Sequence, residues 1–214
     1  MKNNKTREIV LAALLTAMAL VLGVIEIPYP FAPWLQFDLS EVIILMAISL
    51  LSLRYTIFII FAKFMVSIFI KGPVGPLAIG QISALIASLS IALSYYCFMK
   101  IIPFRKQIIK KGIALVCSMS VFALVMFIIN YYFVTPTYLM NQPTWYTQLP
   151  YILDIDAFNS VYGTNMTVPS ILSGLSAYGQ AIFIIYFPFN FLKGMICGIV
   201  YMFVSPVEKY WKTK

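Results

Sequence analysis

Polar positions are so sparse along this chain that uninterrupted apolar runs, rather than alternations, set its elements. Six runs stand out, at about residues 9–25, 42–53, 56–70, 76–99, 112–134 and 179–205. Their side chains are apolar around every helical face, which predicts membrane spans in place of the one-sided stripe of a surface helix. The second and third runs are shorter than the ~20 residues that cross a bilayer. Arg54 between them argues for a break there, not for one long helix over 42–70. The expectation is an all-α integral membrane protein, a six-transmembrane-helix bundle forming a single membrane domain over 1–214.

Two connecting segments interrupt this pattern. Residues 26–40 carry Pro28, Pro30 and Pro33 among aromatics, which prevents a regular helix and predicts either a lid over a cavity or an interfacial aromatic belt. At its end, Asp38 or Ser40 is placed to cap the helix that follows. Residues 135–177 contain Pro136, Pro143, Pro150 and Pro169 with several Tyr, Asn and Thr, and their aromatic content predicts a folded outer cap.

Composition strengthens the membrane reading: 62% of the 214 residues are hydrophobic and 10% charged, and the mean hydropathy is +0.92. The first run leads straight into further spans without a small-residue cleavage site, so it reads as a span and not as a cleavable signal. With six spans both termini fall on one side. Lys2, Lys5, Arg7, Arg54, Lys100, Arg105, Lys106, Lys110, Lys111, Lys209, Lys212 and Lys214 then share that side, while the opposite loops hold Lys71 with Glu26, Asp38, Glu41, Asp154 and Asp156. By the positive-inside rule both termini are cytoplasmic. The net charge of +8 therefore reports orientation, and without a basic stripe interleaved with exposed aromatics it does not point to nucleic acid. Histidine is absent, and Cys97, Cys117 and Cys197 stand singly in apolar runs, so no metal site is expected. The outward carboxylates are spread over two loops and form no acid/base pair, which disfavours an enzyme.

Candidate chemistry lies inside the spans. Lys193, in Tyr186-Phe-Pro-Phe-Asn-Phe-Leu-Lys-Gly194, is an ammonium where hydrocarbon is expected, at a cost of roughly 2.5–3.5 kcal/mol on insertion scales. Asn190, three residues earlier, shares its helix face, and the pair suits a neutral polar ligand in an aromatic-rich cavity. The plain structural reading of Asn130, near the outward end of the fifth run, is an interhelical hydrogen bond, and that of Lys63 in the third run is snorkelling to the interface, with a functional role of Lys63 left open by the sequence. Gly72-Pro-Val-Gly75-Pro-Leu-Ala-Ile-Gly80-Gln81 lacks the Gly-Lys-Ser/Thr of a phosphate loop and reads as a tight outward turn on the rim. Ala13 and Ala17 form a small-residue pair suited to close helix approach, and Gly194 with Gly198 forms another.

Several of these phrases together resemble the substrate-binding S components of energy-coupling-factor (ECF) vitamin transporters, and most closely their riboflavin-specific members. The resemblance rests on Leu35-Gln-Phe-Asp-Leu-Ser-Glu41, the Gly-Pro-x-Gly turn, the Asn-Tyr phrase at Asn130, Pro-Phe-Asn-x-x-Lys-Gly at 188–194 and Ala-x-x-x-Ala at 13–17. It departs at Gln36, where a lysine is usual, at Gln81, where Asn is frequent, and in the longer segment 135–177. The resemblance implies a multi-pass protein of a bacterial cell membrane that takes up riboflavin as a bound substrate, with no cofactor and no chemistry of its own. Asn130, Asn190, Lys193, Leu35, Phe37, Asp38 and Gln81 would bind the substrate. Ala13 and Ala17 would contact an ECF module composed of a transmembrane coupling subunit T and two ATPases. FMN, another vitamin or precursor, or a non-transport multi-pass membrane protein stand as alternatives.

Overall fold

A computed structural model describes residues 2–141 and 154–208. Its elements are α1 (Lys2–Val24), β1 (Ile27–Tyr29), β2 (Ala32–Phe37), α2 (Ser40–Leu50), α3 (Leu53–Lys71), α4 (Ile79–Ile101), α5 (Gln107–Ile129), α6 (Thr135–Asn141), α7 (Ile155–Tyr162) and α8 (Ala177–Val204). A π-helical turn, Asn130–Val134, joins α5 to α6.

The helices α1, α3, α4, α5 and α8 are each long and apolar enough, with their flanking turns, to cross a membrane. Helix α2 differs. Its 11 residues rise only ~16 Å, about half of a ~30 Å hydrocarbon core. It packs against α1, α3, α4 and α8 and is buried continuously from Ser40 to Ala47. Its all-round apolarity thus reflects a central position, not a lipid-facing one. The expected break before Arg54 is present, with Leu51 and Ser52 extended between α2 and α3. Several other boundaries extend beyond the expected runs: α1 begins at Lys2, α5 begins at Gln107, and the fifth run continues past Val134 into α6, while α4 begins later, at Ile79.

Polar contacts fix which ends lie together. Ser49 at the end of α2, Tyr95 late in α4, Tyr201 late in α8 and Glu208 form one cluster: Tyr201 Oη lies 2.6 Å from Ser49 Oγ and 3.2 Å from Tyr95 Oη, and donates to Glu208 Oε1 at 2.9 Å. Lys111, at the start of α5, donates to Glu208 Oε2 at 2.9 Å. At the other end, Lys71 closes α3 onto the end of α1 through the Gly23 carbonyl, 2.6 Å away, and through the Glu26 carboxylate. The beginning of α1 therefore lies at the same end of the bundle as Glu208. Lys209, Lys212 and Lys214, counted in the charge pattern, lie outside the described residues, as does the stretch 142–153 of the long segment with Pro143 and Pro150.

The proline-rich segment forms an antiparallel hairpin, pairing Ile27 with Phe37 and Pro28 with Gln36, irregular at Tyr29. Tyr29 and Phe37 press against Phe189 of α8 with ring centroids 5.2 and 4.9 Å apart. From above, α7 sets Phe158 against Ala32, Ile182, Ile185 and Tyr186, with the Trp34 ring 6.4 Å away. Asp154 caps α7 by accepting from Asp156 N at 2.7 Å, and Asn159 brackets the turn after it through Met166 and Thr164. Of the segment 135–177 expected to form an outer cap, Thr135–Asn141 instead extend the fifth helix as α6, 142–153 lie outside the described residues, and α7 with the turns after it packs against the hairpin and α8.

Candidate functional site

The hairpin, α1, α3, α4, the α5–α6 junction and α8 enclose a cavity of about 490 Å³, within the usual size range of small-molecule sites. Its upper wall is aromatic and apolar, including Trp34, Leu35, Phe122, Met126, Tyr186 and Phe189. Its floor is polar, with Asp38, Ser40, Glu41, Lys63 and Lys193.

Local sequence explains how the floor is set so deep. Lys193 stands 16 residues into α8, ~24 Å along the axis from its outward start. The hairpin descends to that level. Asp38 Oδ2 accepts from Lys193 Nζ at 2.5 Å, the Asp38 carbonyl accepts from Cys197 Sγ at 3.6 Å, and the Gln36 carbonyl accepts from Lys193 at 3.3 Å. Asp38 Oδ1 in turn takes the backbone N–H of Ser40 at 2.9 Å and the Ser40 hydroxyl, a local turn ahead of α2; the N-cap position is Leu39, with no side-chain cap, and not Asp38 or Ser40 as expected. Burial alone would raise the Asp38 carboxyl, but the ammonium groups of Lys193 and Lys63 and the Lys193 and Ser40 hydrogen bonds hold it well below the usual carboxylate range.

Lys63, whose role the sequence left open, has a defined place in the site. It does not snorkel. Its three ammonium protons reach Ser40 Oγ at 2.7 Å, Glu41 Oε1 at 3.1 Å and Ser88 Oγ at 3.1 Å, and Ser88 also donates to Glu41 Oε1 at 2.7 Å. A chain of contacts thus runs Lys193, Asp38, Ser40, Lys63, Glu41, Ser88 across four helices. Sequence reasoning missed Ser40, Glu41, Lys63 and Ser88 as one cluster. A second intramembrane ammonium was the available signal, since such a group ordinarily faces a protein interior and a partner.

The expected site residues fare differently. Leu35, Asp38, Gln81, Asn130, Asn190 and Lys193 line the cavity. Phe37 is brought near but is wedged between Tyr29 and Phe189, so it positions the hairpin. Gln81 is spent on the rim turn, donating to the Gly72 carbonyl at 2.6 Å and accepting from Val74 N at 3.0 Å. That turn needs Gly75 at φ 74°, and a Cβ there would run into the Tyr138 ring from α6. Asn130 and Asn190, each 4% exposed, donate their amide NH2 groups one turn back, to Met126 O at 2.7 Å and Tyr186 O at 2.8 Å. Their side-chain oxygens are the atoms left for an incoming donor. Asn130 opens the π turn, and Pro188 interrupts the α8 ladder two residues before Asn190, so both amides sit at irregular helix turns facing the cavity. Ala13 and Ala17 point away from all of this, exposed on the outer face of α1, while Leu11, Ala12, Leu15 and Ala19 are buried.

Helices of this length and apolarity around a ligand-sized, capped cavity define a multi-pass membrane protein built to hold a small molecule. The model of the family "ECF transporter, substrate-specific component" matches residues 7–205, and the chain belongs to that family. It is a substrate-binding transporter component and not an enzyme, and proteins of this kind work with an ECF module. Among curated proteins it is similar to "Riboflavin transporter FmnP" of Bacillus subtilis (strain 168), 24% identical over 210 residues, covering 97% of this chain and 94% of that one. A solved structure described as "Structure and mechanism of the S component of a bacterial ECF transporter" shares the fold, with a TM-score of 0.64, 19% identity and coverage of 98% of this chain and 99% of that one.

Proposed function

We propose that this chain is the riboflavin-binding and uptake subunit of an ECF-type transporter, open to the outer side and driven by ATP hydrolysis in partner subunits. The observation that carries the substrate reading is the division of the cavity into an aromatic wall and a deep polar floor. A flat tricyclic ring with a polyol tail has the matching division: the ring stacks where Trp34, Tyr186 and Phe189 supply π faces, and the hydroxyls meet the hydrogen-bonding floor. The similarity to a protein named for riboflavin transport supports the same reading.

Asn130, Asn190, Lys193, Leu35 and Asp38 bind the ligand in this account, Gln81 holds the rim turn, and Phe37 holds the hairpin that closes over it. The exposed Ala13 and Ala17 face gives the T subunit a close approach on α1. The basic end of the bundle, with both termini, faces the cytoplasm. Uptake of labelled riboflavin into riboflavin-requiring cells tests the whole reading. Cells expressing this chain with an ECF module are expected to accumulate label, and cells lacking either component are not. Accumulation without any module would contradict the assignment of the energy source, and none with the module would contradict the substrate.

A further inference from the structure

Helices α5 and α8 press together at one level and part towards the basic end. A Cβ on Gly194 would meet Met119 Sδ at 2.5 Å, one on Gly198 would meet Leu115 at 3.7 Å, and one on Gly112 would meet nothing within 4 Å. Gly194 thus serves the close approach, whereas Gly198 and Gly112 border an opening. The opening is an apolar groove of about 480 Å³, running from Ile108 and Phe203 at the basic end to Met119 and Met195. Between Ile108 and Met119 the helix rises ~16 Å, about half of a ~30 Å hydrocarbon core, so the groove covers one leaflet. Its volume over that length gives a section of roughly 30 Å², too narrow for a helix ~10–12 Å across and open enough for one hydrocarbon chain. Glycine weakens a helix relative to alanine, and no neighbour within the chain requires it at 112.

Charge selects the occupant. Arg105 and Lys106 stand just ahead of Ile108, are exposed, and have no side-chain hydrogen bond or ion pair among the described residues. Glu208, at the same end, is already held by Lys111 and Tyr201. An anionic headgroup at the mouth of the groove therefore meets two uncommitted cations, with its chain directed along apolar surface. We infer that the α5–α8 groove is a binding site for one anionic phospholipid: an acyl chain lies along Gly112 and Gly198, and Arg105 and Lys106 hold the phosphate. The groove is separate from α1, which packs on α2 and α3, so this lipid leaves the Ala13 and Ala17 face free. The inference stands whichever small molecule fills the capped cavity.

The test is native mass spectrometry of the purified full chain in detergent, titrated with dioleoylphosphatidylglycerol or with dioleoylphosphatidylcholine. Wild type is expected to retain a single phosphatidylglycerol, bound about tenfold or more tightly than phosphatidylcholine, since each of the two basic residues contributes about fivefold near an anionic headgroup. Gly112→Leu fills the groove without meeting a neighbour, so it is expected to keep its thermal midpoint and to lose the bound lipid. Arg105→Gln combined with Lys106→Gln is expected to hold both lipids with the affinity that wild type shows for phosphatidylcholine. Equal wild-type affinity for the two lipids overturns the inference, as does unchanged phosphatidylglycerol binding in either variant. Glycerophosphoglycerol, the same headgroup without acyl chains, is expected not to displace the lipid. Displacement at equal concentration would make the site one for a free anion and overturn the inference as well.

Discussion

Lys193 shows what a single residue discloses and what it hides. Its cost in an apolar run marked a site directly from the sequence, and Asn190 on the same face followed from helical spacing alone. Its counter-ion was not legible. Asp38 lies 155 residues away in a hairpin whose descent depends on Tyr29 and Phe37 seating against Phe189. The Lys63–Glu41 pair, 22 residues apart on two different helices, was hidden as well, and the sequence left the role of Lys63 open. Because Asp38 and Lys193 are both largely withdrawn from water, removing one partner strands the other. Asp38→Asn is expected to lower stability by roughly 3 kcal/mol, seen as a lower thermal midpoint in detergent, and to weaken ligand binding as the hairpin loosens. The pH dependence has a fixed sign. The Asp38 carboxyl is held below its ordinary value in the folded protein, so its contribution is complete above about pH 4 and drains away as the pH falls below that. Thermal midpoints measured from pH 7 down to pH 3 are expected to fall in the acid range for wild type and to fall less for Asp38→Asn. Parallel curves would contradict the role given to this pair.

At the scale of elements, apolar runs located the bundle helices but misjudged what one of them does. Run length marked the second as short, and its brevity is functional: a helix of ~16 Å starting beside Lys193 leaves the volume above it for a cavity and presents Ser40 and Glu41 at its floor. Hydropathy cannot distinguish that arrangement from a poorly bounded span, since both read as a truncated apolar run. The π turn at Asn130 was equally hidden, although Pro136 six residues on predicts some relief of the helical ladder nearby. The small-residue face of α1 was legible and stays exposed, with Ala13 and Ala17 on the side away from Leu11, Leu15 and Ala19. Ala13→Leu and Ala17→Leu add bulk to this exposed face without touching the cavity. Both are expected to leave riboflavin binding within about twofold while reducing module-dependent uptake by tenfold or more. Loss of binding in the detergent-purified variants would instead make this face part of the packing.

For the whole molecule, the charge pattern predicted more than the hydropathy profile could secure. The basic residues sorted onto one side under an expectation of six spans, whereas among the described residues five helices are long enough to cross and α2 is half that length; the clusters joining Ser49, Tyr95, Tyr201, Lys111 and Glu208 at one end, with Lys71, Gly23 and Glu26 at the other, show which helix ends lie together. The aromatic hairpin and the cap around α7 cover the end opposite to the basic one. The hairpin and the α7 cap close one end of the bundle and the Tyr201–Glu208 cluster ties the other, in a chain of a family whose members work with an ECF module. The central claim is that the cavity beneath Trp34 holds riboflavin, and a titration of intrinsic tryptophan fluorescence with riboflavin addresses it most directly. The purified chain is expected to show saturable quenching with a submicromolar midpoint, and Lys193→Ala to shift that midpoint upward by at least tenfold. Fluorescence unchanged through tens of micromolar riboflavin, in a protein that remains folded and monodisperse, would contradict the account.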